Sequence, residues 1–222
     1  LLFIGGLMSM AYLEQLMTLF HKTFRMNKLP KSMSEQKTTT EPGVLGLSHA
    51  QVFIYLLLTV ITILFLFVIN AYVFRMNFDD WQSLPDPRLL WVNSGSLTAA
   101  SLGMYWASKA SQNGDRDNYK LGLFVGGLFA LVFLIGQLIV WQQLISLDYF
   151  VASNPANTFF YLITGIHGIH LLGGIIALAV VMYKSRLISA VVLLSSQTSL
   201  LATYWHYMLA AWVVFFGLFL TT

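Results

Sequence analysis

The sequence predicts an all-α polytopic membrane protein with five transmembrane helices. Of its 222 residues, 57% are hydrophobic and only 9% are charged, and the mean hydropathy is +0.72. A soluble domain carries about 25% charged residues. Five apolar stretches each reach the roughly 20 residues that a helix needs to cross the hydrocarbon core. These stretches lie at about 49–74, 89–108, 121–146, 158–183 and 197–220.

Two shorter segments precede the five spans. Residues 1–26 repeat apolar side chains at helical spacing, which predicts an interfacial helix or part of a spanning helix. Residues 27–48 are mostly polar and contain two prolines, so we interpret them as a linker. We therefore divide the chain into these two segments and a membrane domain at 49–222. A native start at Met33 would make residues 1–32 a separate piece.

The basic residues are distributed unequally across the predicted membrane. Ten of them fall with the linker and the second and fourth loops, whereas only Arg75 and Arg88 fall on the opposite side. Because basic loops remain in the cytoplasm, this bias predicts a cytoplasmic linker and an external Thr222. The expected location is the cytoplasmic (inner) membrane of a bacterium.

The fourth span, from Thr158 to Val181, carries three polar side chains at helical spacing. Thr164, His167 and His170 are separated by three residues, so they share one face of a helix. Glycines beside them remove bulk and predict that a neighbouring helix packs closely here. The glycines are Gly165, Gly168, Gly173 and Gly174.

No carboxylate lies in the middle of any predicted span. Transporters and proton pumps keep ionisable groups at that depth, so the sequence disfavours a proton-coupled carrier, although a histidine could titrate. The polar residues available for contacts between helices include Asn93 and Gln137, and we interpret Gln137 as part of an interhelical hydrogen bond. With no cysteine, these 222 residues form no disulfide and no iron–sulfur site.

The intramembrane histidines have two interpretations. His167, His170 and His206 could form structural hydrogen bonds or contact lipid headgroups, or they could ligate a metal or haem. A spacing of three puts His167 and His170 at one depth, whereas two haems would need pairs near both membrane faces. No acid is nearby in sequence to orient an imidazole, as metal-binding histidines usually require. We therefore favour the first interpretation and predict no metal site on this chain.

Five segments carry motifs that stand in a fixed order between residue 49 and the end. They are 87–107 (PRLLWVNSGSLTAASLGMYWA), 114–121 (GDRDNYKL), 133–141 (FLIGQLIVW), 162–174 (LITGIHGIHLLGG), and 204–207 (YWHY) followed by Trp212. Together they resemble subunit III of the haem–copper oxidases. The chain departs from that family where the family has membrane-buried acids. Those positions fall on Val60 and Ile61, on Val140, near Ser199, and on Leu209.

The resemblance implies an accessory subunit that has no redox centre or catalytic residue of its own. It would brace catalytic subunit I beside subunit II, which implies haem and copper in the partner rather than in this chain. The five helices would follow the arrangement of subunit III, a helical V whose cleft holds phospholipids. Their headgroups would contact Lys184 or Arg186 and polar residues of the 162–174 helix. The assembly would pass electrons from cytochrome c to oxygen, forming water and translocating protons.

Other partners and functions remain open from the sequence. A respiratory supercomplex is a further possible partner, and nothing indicates nucleic acid. The first alternative is the equivalent subunit of a quinol oxidase or of a nitric-oxide-reductase cluster. An alternative of another class is a stand-alone b-type haem protein or a transporter.

Overall fold

The computed structural model describes residues 47–84, 88–188 and 190–221. The predicted helix at 1–26 and all but the last two residues of the linker lie outside these described residues. The described part contains α-helices and a single 3-10 turn but no strand, so the all-α prediction is confirmed. The helices are α1 (His49–Arg75), α2 (Leu89–Gln112), α3 (Arg116–Ser146), α4 (Pro155–Leu187) and α5 (Ser195–Leu220), with the 3-10 turn at Val191–Leu194.

Four of these helices, α1, α3, α4 and α5, are long and apolar enough to cross a membrane by length and composition. Helix α2 is also long, but its serines, Asn93 and Lys109 make it more polar. Much of this polarity is used inside the protein, because Asn93 and Ser101 are buried. The described residues therefore form four strongly apolar helices and a fifth, more polar one.

Local hydrogen bonds set where three of the helices begin. Ser48 and Gln51 form a reciprocal capping box at the start of α1. The Asp115 side chain accepts a hydrogen bond from the Asn118 backbone, and Asn154 does the same for Ala156. Because of these caps, α3 and α4 begin a few residues earlier than hydropathy alone predicts. The Asn118 hydrogen bonds also hold the pKa of Asp115 below its usual range.

Helices α2 and α3 pack with their backbones almost in contact. A Cβ atom added to Gly103 would lie 2.7 Å from the backbone nitrogen of Gly126. A Cβ atom on Gly122 would lie 2.7 Å from the backbone nitrogen of Ala107. Real Cβ atoms do not come this close to backbone atoms, so glycine at these positions allows the two helices to pair.

The other three helices complete the bundle. Helix α5 packs against α2 and α4, and α1 packs against α4 and α5. The centre is aromatic, with Trp205, Trp212 and Phe133 almost fully enclosed. Helix α1 buries only a few side chains, and most of its length is an exposed apolar surface. Its buried residues are Leu58, Ile61, Phe65 and Tyr72.

The loop that follows α1 is tied to the start of α4. The Asn154 side chain donates to the carbonyl oxygen of Gln82 at 2.5 Å and accepts from its backbone N–H at 3.4 Å. Arg75, the last residue of α1, forms an ion pair with Asp80 of this loop, which holds the pKa of that carboxyl below its usual range. The hydrogen bonds between Asn154 and Gln82 connect two loops at the same end of the bundle.

Candidate functional site

The centre of the candidate site is His167, whose side chain is fully enclosed by the described residues. Its ring lies 5.4 Å from the Trp212 ring, measured between centroids, and 5.9 Å from Phe133. The rings of Phe215 and Phe65 complete the enclosure, with centroids 5.8 and 6.5 Å from that of His167. Helices α1, α3, α4 and α5 therefore all contribute to the packing around this imidazole. Neither ring nitrogen has a hydrogen-bond partner among the described residues.

His170 lies one turn further along α4 in a different environment. Its side chain is half-buried, and Nδ1 donates to the backbone carbonyl of Ile166 at 2.8 Å. Its own carbonyl accepts a hydrogen bond from the Tyr204 hydroxyl at 2.7 Å. The Phe65 ring is 5.4 Å from the His170 ring and also adjoins His167, so both histidines approach α1. Only His170 retains exposed surface.

Thr164 connects α4 to α3. Its hydroxyl accepts a hydrogen bond from Trp141 Nε1 at 3.1 Å and donates to the Phe160 carbonyl at 2.7 Å. Both partners of this hydroxyl lie within the bundle, and the bond from Trp141 joins α3 to α4.

Asn93 and Gln137 connect α2 to α3. The Asn93 amide donates to Gln137 Oε1 at 3.3 Å, and both side chains are buried. Gly136 leaves room for Asn93, because a Cβ atom there would lie 2.1 Å from Asn93 Oδ1. Gln137 Nε2 has no partner among the described residues. Gln137 was expected to form an interhelical hydrogen bond, and in the structure it accepts one, from Asn93.

The four glycines of α4 lie in unequal surroundings. Gly174 is the closely packed one, since a Cβ atom there would lie 2.9 Å from Tyr204 Cε1. Cβ atoms on Gly165 and Gly168 would make ordinary contacts with Trp141 and Leu134. Gly173 has open space around it. Close approach at α4 is therefore concentrated at one glycine.

His206 does not join the other two histidines. It lies on the outer side of α5 next to α2, where its Nδ1 is hydrogen-bonded to the Ser101 hydroxyl. Its neighbours in sequence, Tyr204 and Trp205, face α4 at Gly174. Among the residues that the structure describes, no three His, Asp or Glu side chains are grouped as a metal site would require.

Lys184 and Arg186 occupy the last turn of α4. Lys184 Nζ donates to Gln197 Oε1 at 3.0 Å, and the Arg186 side chain is exposed. Neither residue forms an ion pair within the described part of the chain. Both cationic groups are thus available to an anion at the end of the helix.

Sequence reasoning did not identify the glycines of α2 and α3 as the closest contact in the bundle. Gly122 and Gly126 are four residues apart, the spacing of small residues that brings membrane helices together. This spacing is visible in the sequence, and it is the signal that could have predicted the close contact between α2 and α3. The aromatic enclosure of His167 gave no such signal, because its members are spread over three other helices.

Replacing His167 with leucine is expected to raise the free energy of unfolding by about 1 kcal/mol, because a buried polar group without a partner is costly. Leucine has a similar volume and no polar atoms. Equilibrium unfolding of the full chain in mixed detergent micelles would measure the change. His170→Leu is the matched control and should bring no gain, because it removes a hydrogen bond. A loss of stability in His167→Leu would mean that the imidazole binds something in the folded protein.

The fold and the site together define a polytopic helical membrane protein whose intramembrane polar groups mainly connect its own helices. The sequence model for cytochrome c oxidase subunit III matches residues 85–221. Because this match covers more than half of the chain, the chain belongs to the cytochrome c oxidase subunit III family.

Curated relatives carry the same description. A probable cytochrome c oxidase subunit 3 of Mycobacterium bovis is 26% identical over 120 residues, which cover 54% of this chain and 59% of the relative. Cytochrome c oxidase subunit 3 of Synechocystis sp. is 27% identical over 163 residues, covering 69% and 67%. The chain thus spans about three-fifths of the length of the first relative.

Proposed function

We propose that this chain is an accessory subunit of a terminal respiratory oxidase, namely cytochrome c oxidase subunit III. It carries no catalytic residue, braces the catalytic subunit and holds phospholipids while the complex reduces oxygen to water and translocates protons. The observation that carries the proposal is the family match over residues 85–221, which extends from the loop before α2 to the end of α5.

The exposed surface of α1 supports the bracing role. Phe53, Phe67 and Phe74 are 61, 71 and 69% exposed, and Leu56 and Val60 are similarly uncovered. Such a continuous apolar face suits either acyl chains or another membrane subunit. We propose that catalytic subunit I is the main contact and that subunit II lies in the same assembly. Haem and copper belong to these partners, and a respiratory supercomplex is a further possible neighbour.

The proposed orientation follows from the basic residues. Lys109 in the last turn of α2, Lys120 near the start of α3 and Lys184 near the end of α4 all lie at the same end of the antiparallel bundle. Basic loops remain in the cytoplasm, so this end faces the cytoplasm and the C-terminus of α5 faces outward. The proposed location is the cytoplasmic membrane of a bacterium.

The lipid role is assigned to Lys184 and Arg186. A basic side chain at the membrane interface can place its charge against a headgroup phosphate while its stem lies along the acyl chains. The end of α4 also favours a cation, because the helix dipole is negative there. His167 has no exposed surface for a headgroup, whereas His170 is half-buried and could contact a lipid chain or headgroup.

Changing Lys184 and Arg186 together to glutamine is expected to remove tightly bound phospholipid from the purified complex. Each basic residue near a membrane surface contributes about 1 kcal/mol to headgroup attraction, or roughly fivefold in affinity. Mass spectrometry of lipids retained per complex would measure the loss. Lys120→Gln is the control, because Lys120 is an exposed cation at the same end of the bundle. Equal lipid retention in the double variant and the control would contradict this assignment.

Purification of the affinity-tagged full chain from native membranes tests the function itself. We expect a partner with haem and copper to co-purify, and the complex to oxidise cytochrome c with oxygen consumption. Oxidation of quinol or reduction of nitric oxide instead would identify one of the related assemblies. A Soret band stoichiometric with the isolated chain would overturn the proposal in favour of a b-type haem protein.

A further inference from the structure

A polar strip runs along the outer side of α2 and α5 within the membrane-spanning part of the bundle. We define it by Ser101, Tyr105 and Lys109 of α2 together with His206 of α5. Tyr105, Lys109 and His206 are exposed. Exposed apolar side chains flank the strip, such as Leu102 at 61% and Trp106 at 40%. A polar strip on an otherwise apolar outer surface needs a neighbour that can satisfy it.

The hydrogen bonding of His206 shows which groups point outward. The Ser101 hydroxyl is hydrogen-bonded to His206 Nδ1 and has no other acceptor among the described residues. In the tautomer in which this hydroxyl donates to Nδ1, the proton of the neutral imidazole lies on Nε2. This N–H has no acceptor within the described part of the chain. In this tautomer, His206 presents an outward hydrogen-bond donor.

The rest of the strip also consists of donors. The Tyr105 hydroxyl has no hydrogen-bond partner among the described residues, and its ring centroid is 6.3 Å from that of His206. Lys109 Nζ lies 5.8 Å from the centre of the Tyr105 ring and forms no ion pair within residues 47–84, 88–188 or 190–221. The strip combines one positive charge with two neutral donors and contains no carboxylate, so its complement is a row of acceptors.

The depth of the polar strip in the membrane distinguishes a protein partner from a lipid headgroup. Eight residues separate Ser101 from Lys109, which corresponds to about 12 Å along a helix. Lys109 is in the last turn of α2 and can reach headgroups by extending its side chain. His206 lies 11 residues after the start of α5, or roughly 16 Å into the helix, where a headgroup does not reach. Acceptors at that depth belong to another transmembrane helix.

We propose that the polar strip binds a transmembrane helix of a neighbouring subunit that presents a carboxylate opposite Lys109 and Tyr105. One helical turn or more deeper, the same helix presents a hydroxyl, amide or carbonyl oxygen opposite His206. The inference rests on the proposed function for the existence of a neighbouring subunit, and it goes further by naming the surface and its chemistry. The apolar face of α1 remains a separate contact.

A photo-crosslinking amino acid at Leu102, in the tagged full chain and in native membranes, tests the proposal. We expect a crosslink to a transmembrane peptide that contains Asp or Glu, identified by mass spectrometry. His206→Leu and Tyr105→Phe should each lower the yield about threefold, as expected for one interhelical hydrogen bond in a membrane. Lys109→Glu should lower it further, and lysine in place of the partner's acid should restore it.

Thr98→Val is the matched control. Thr98 is exposed on the same side of α2, but its hydroxyl donates to the Ser94 carbonyl of its own helix. This variant should crosslink like the unmodified strip. Each variant is first checked for unchanged helix content and a single elution peak, so that misfolding does not imitate a lost contact.

Three results would overturn the inference: a crosslink from Leu102 to lipid alone, one to a second copy of this chain, or one that is insensitive to all three strip variants. If haem and copper still co-purify in that case, the proposed function stands without this interface. If the strip binds an acidic helix but no haem-containing partner is present, the interface stands and the proposed function fails.

Discussion

Gly122→Leu is expected to separate α2 from α3 and to lower the free energy of unfolding by about 3 kcal/mol or more, because a side chain would be forced into a packed core. A single Cβ atom at this position would already lie 2.7 Å from the backbone nitrogen of Ala107 and 2.9 Å from its Cα. Backbone atoms cannot rotate away as a flexible side chain can, so the helices themselves must move. Equilibrium unfolding of the full chain in mixed detergent micelles would measure the loss.

Gly122→Ala should also lower the free energy of unfolding, but by less than Gly122→Leu. Alanine favours a helix over glycine by about 0.5–1 kcal/mol, so any net loss in this variant reflects the clash. Gly217→Ala is the control, because Gly217 lies in α5 with open space where the Cβ atom would be. That variant should gain stability. If Gly122→Ala gained as much as Gly217→Ala, the close contact between α2 and α3 would be refuted.

Length and hydropathy alone identify four of the five predicted spans as helices that can cross a bilayer, whereas α2 is a long but more polar helix. The exact ends could not be predicted in this way, since they depend on single side chains. Asn154 extends α4 to Pro155 by accepting a hydrogen bond from Ala156 while also bonding Gln82 in another loop. The first of these contacts is visible as a local capping pattern. The second depends on which loops meet in the folded bundle.

The glycines show the same difference between what the sequence predicts and what only the folded bundle determines. The sequence shows that a glycine permits close approach, but not which side of the helix faces a neighbour. Gly174 of α4 meets Tyr204, whereas the adjacent Gly173 faces open space. A step of 100° around the helix axis separates the two positions. The choice between them is made by the packing of α5, which no pattern within α4 reveals.

The histidines were predicted to share a face, and both do adjoin Phe65. Their environments still differ, because the side chains that enclose His167 come from α1, α3 and α5. Val140, at a position where the resemblance implies a buried acid, is fully enclosed in the core. An apolar residue there forms no side-chain hydrogen bond or ion pair, so Val140 contributes to the bundle through apolar packing.

The aromatic core predicts the largest single effect at Trp212. Its side chain is fully buried, its ring lies 4.8 Å from Phe133, and its Nε1 donates to the Ser94 hydroxyl at 2.9 Å. Trp212→Ala is expected to lower the free energy of unfolding by about 3–5 kcal/mol, since it leaves a cavity where four helices meet. Equilibrium unfolding of the full chain in mixed detergent micelles would measure this change in the free energy of unfolding.

Two further variants show whether lost packing or the lost hydrogen bond causes that decrease in stability. Trp212→Phe keeps most of the packing and removes the hydrogen bond to Ser94, so it should cost much less than the alanine variant. Phe67→Ala removes an aromatic ring that is 71% exposed on α1, and a change within about 0.5 kcal/mol is expected there. If Trp212→Ala were as mild as Phe67→Ala, the enclosed aromatic cluster around His167 could not be what stabilises the bundle. The proposed bracing role would then need another source of rigidity, because a subunit can support its neighbour only if its own helices hold their positions.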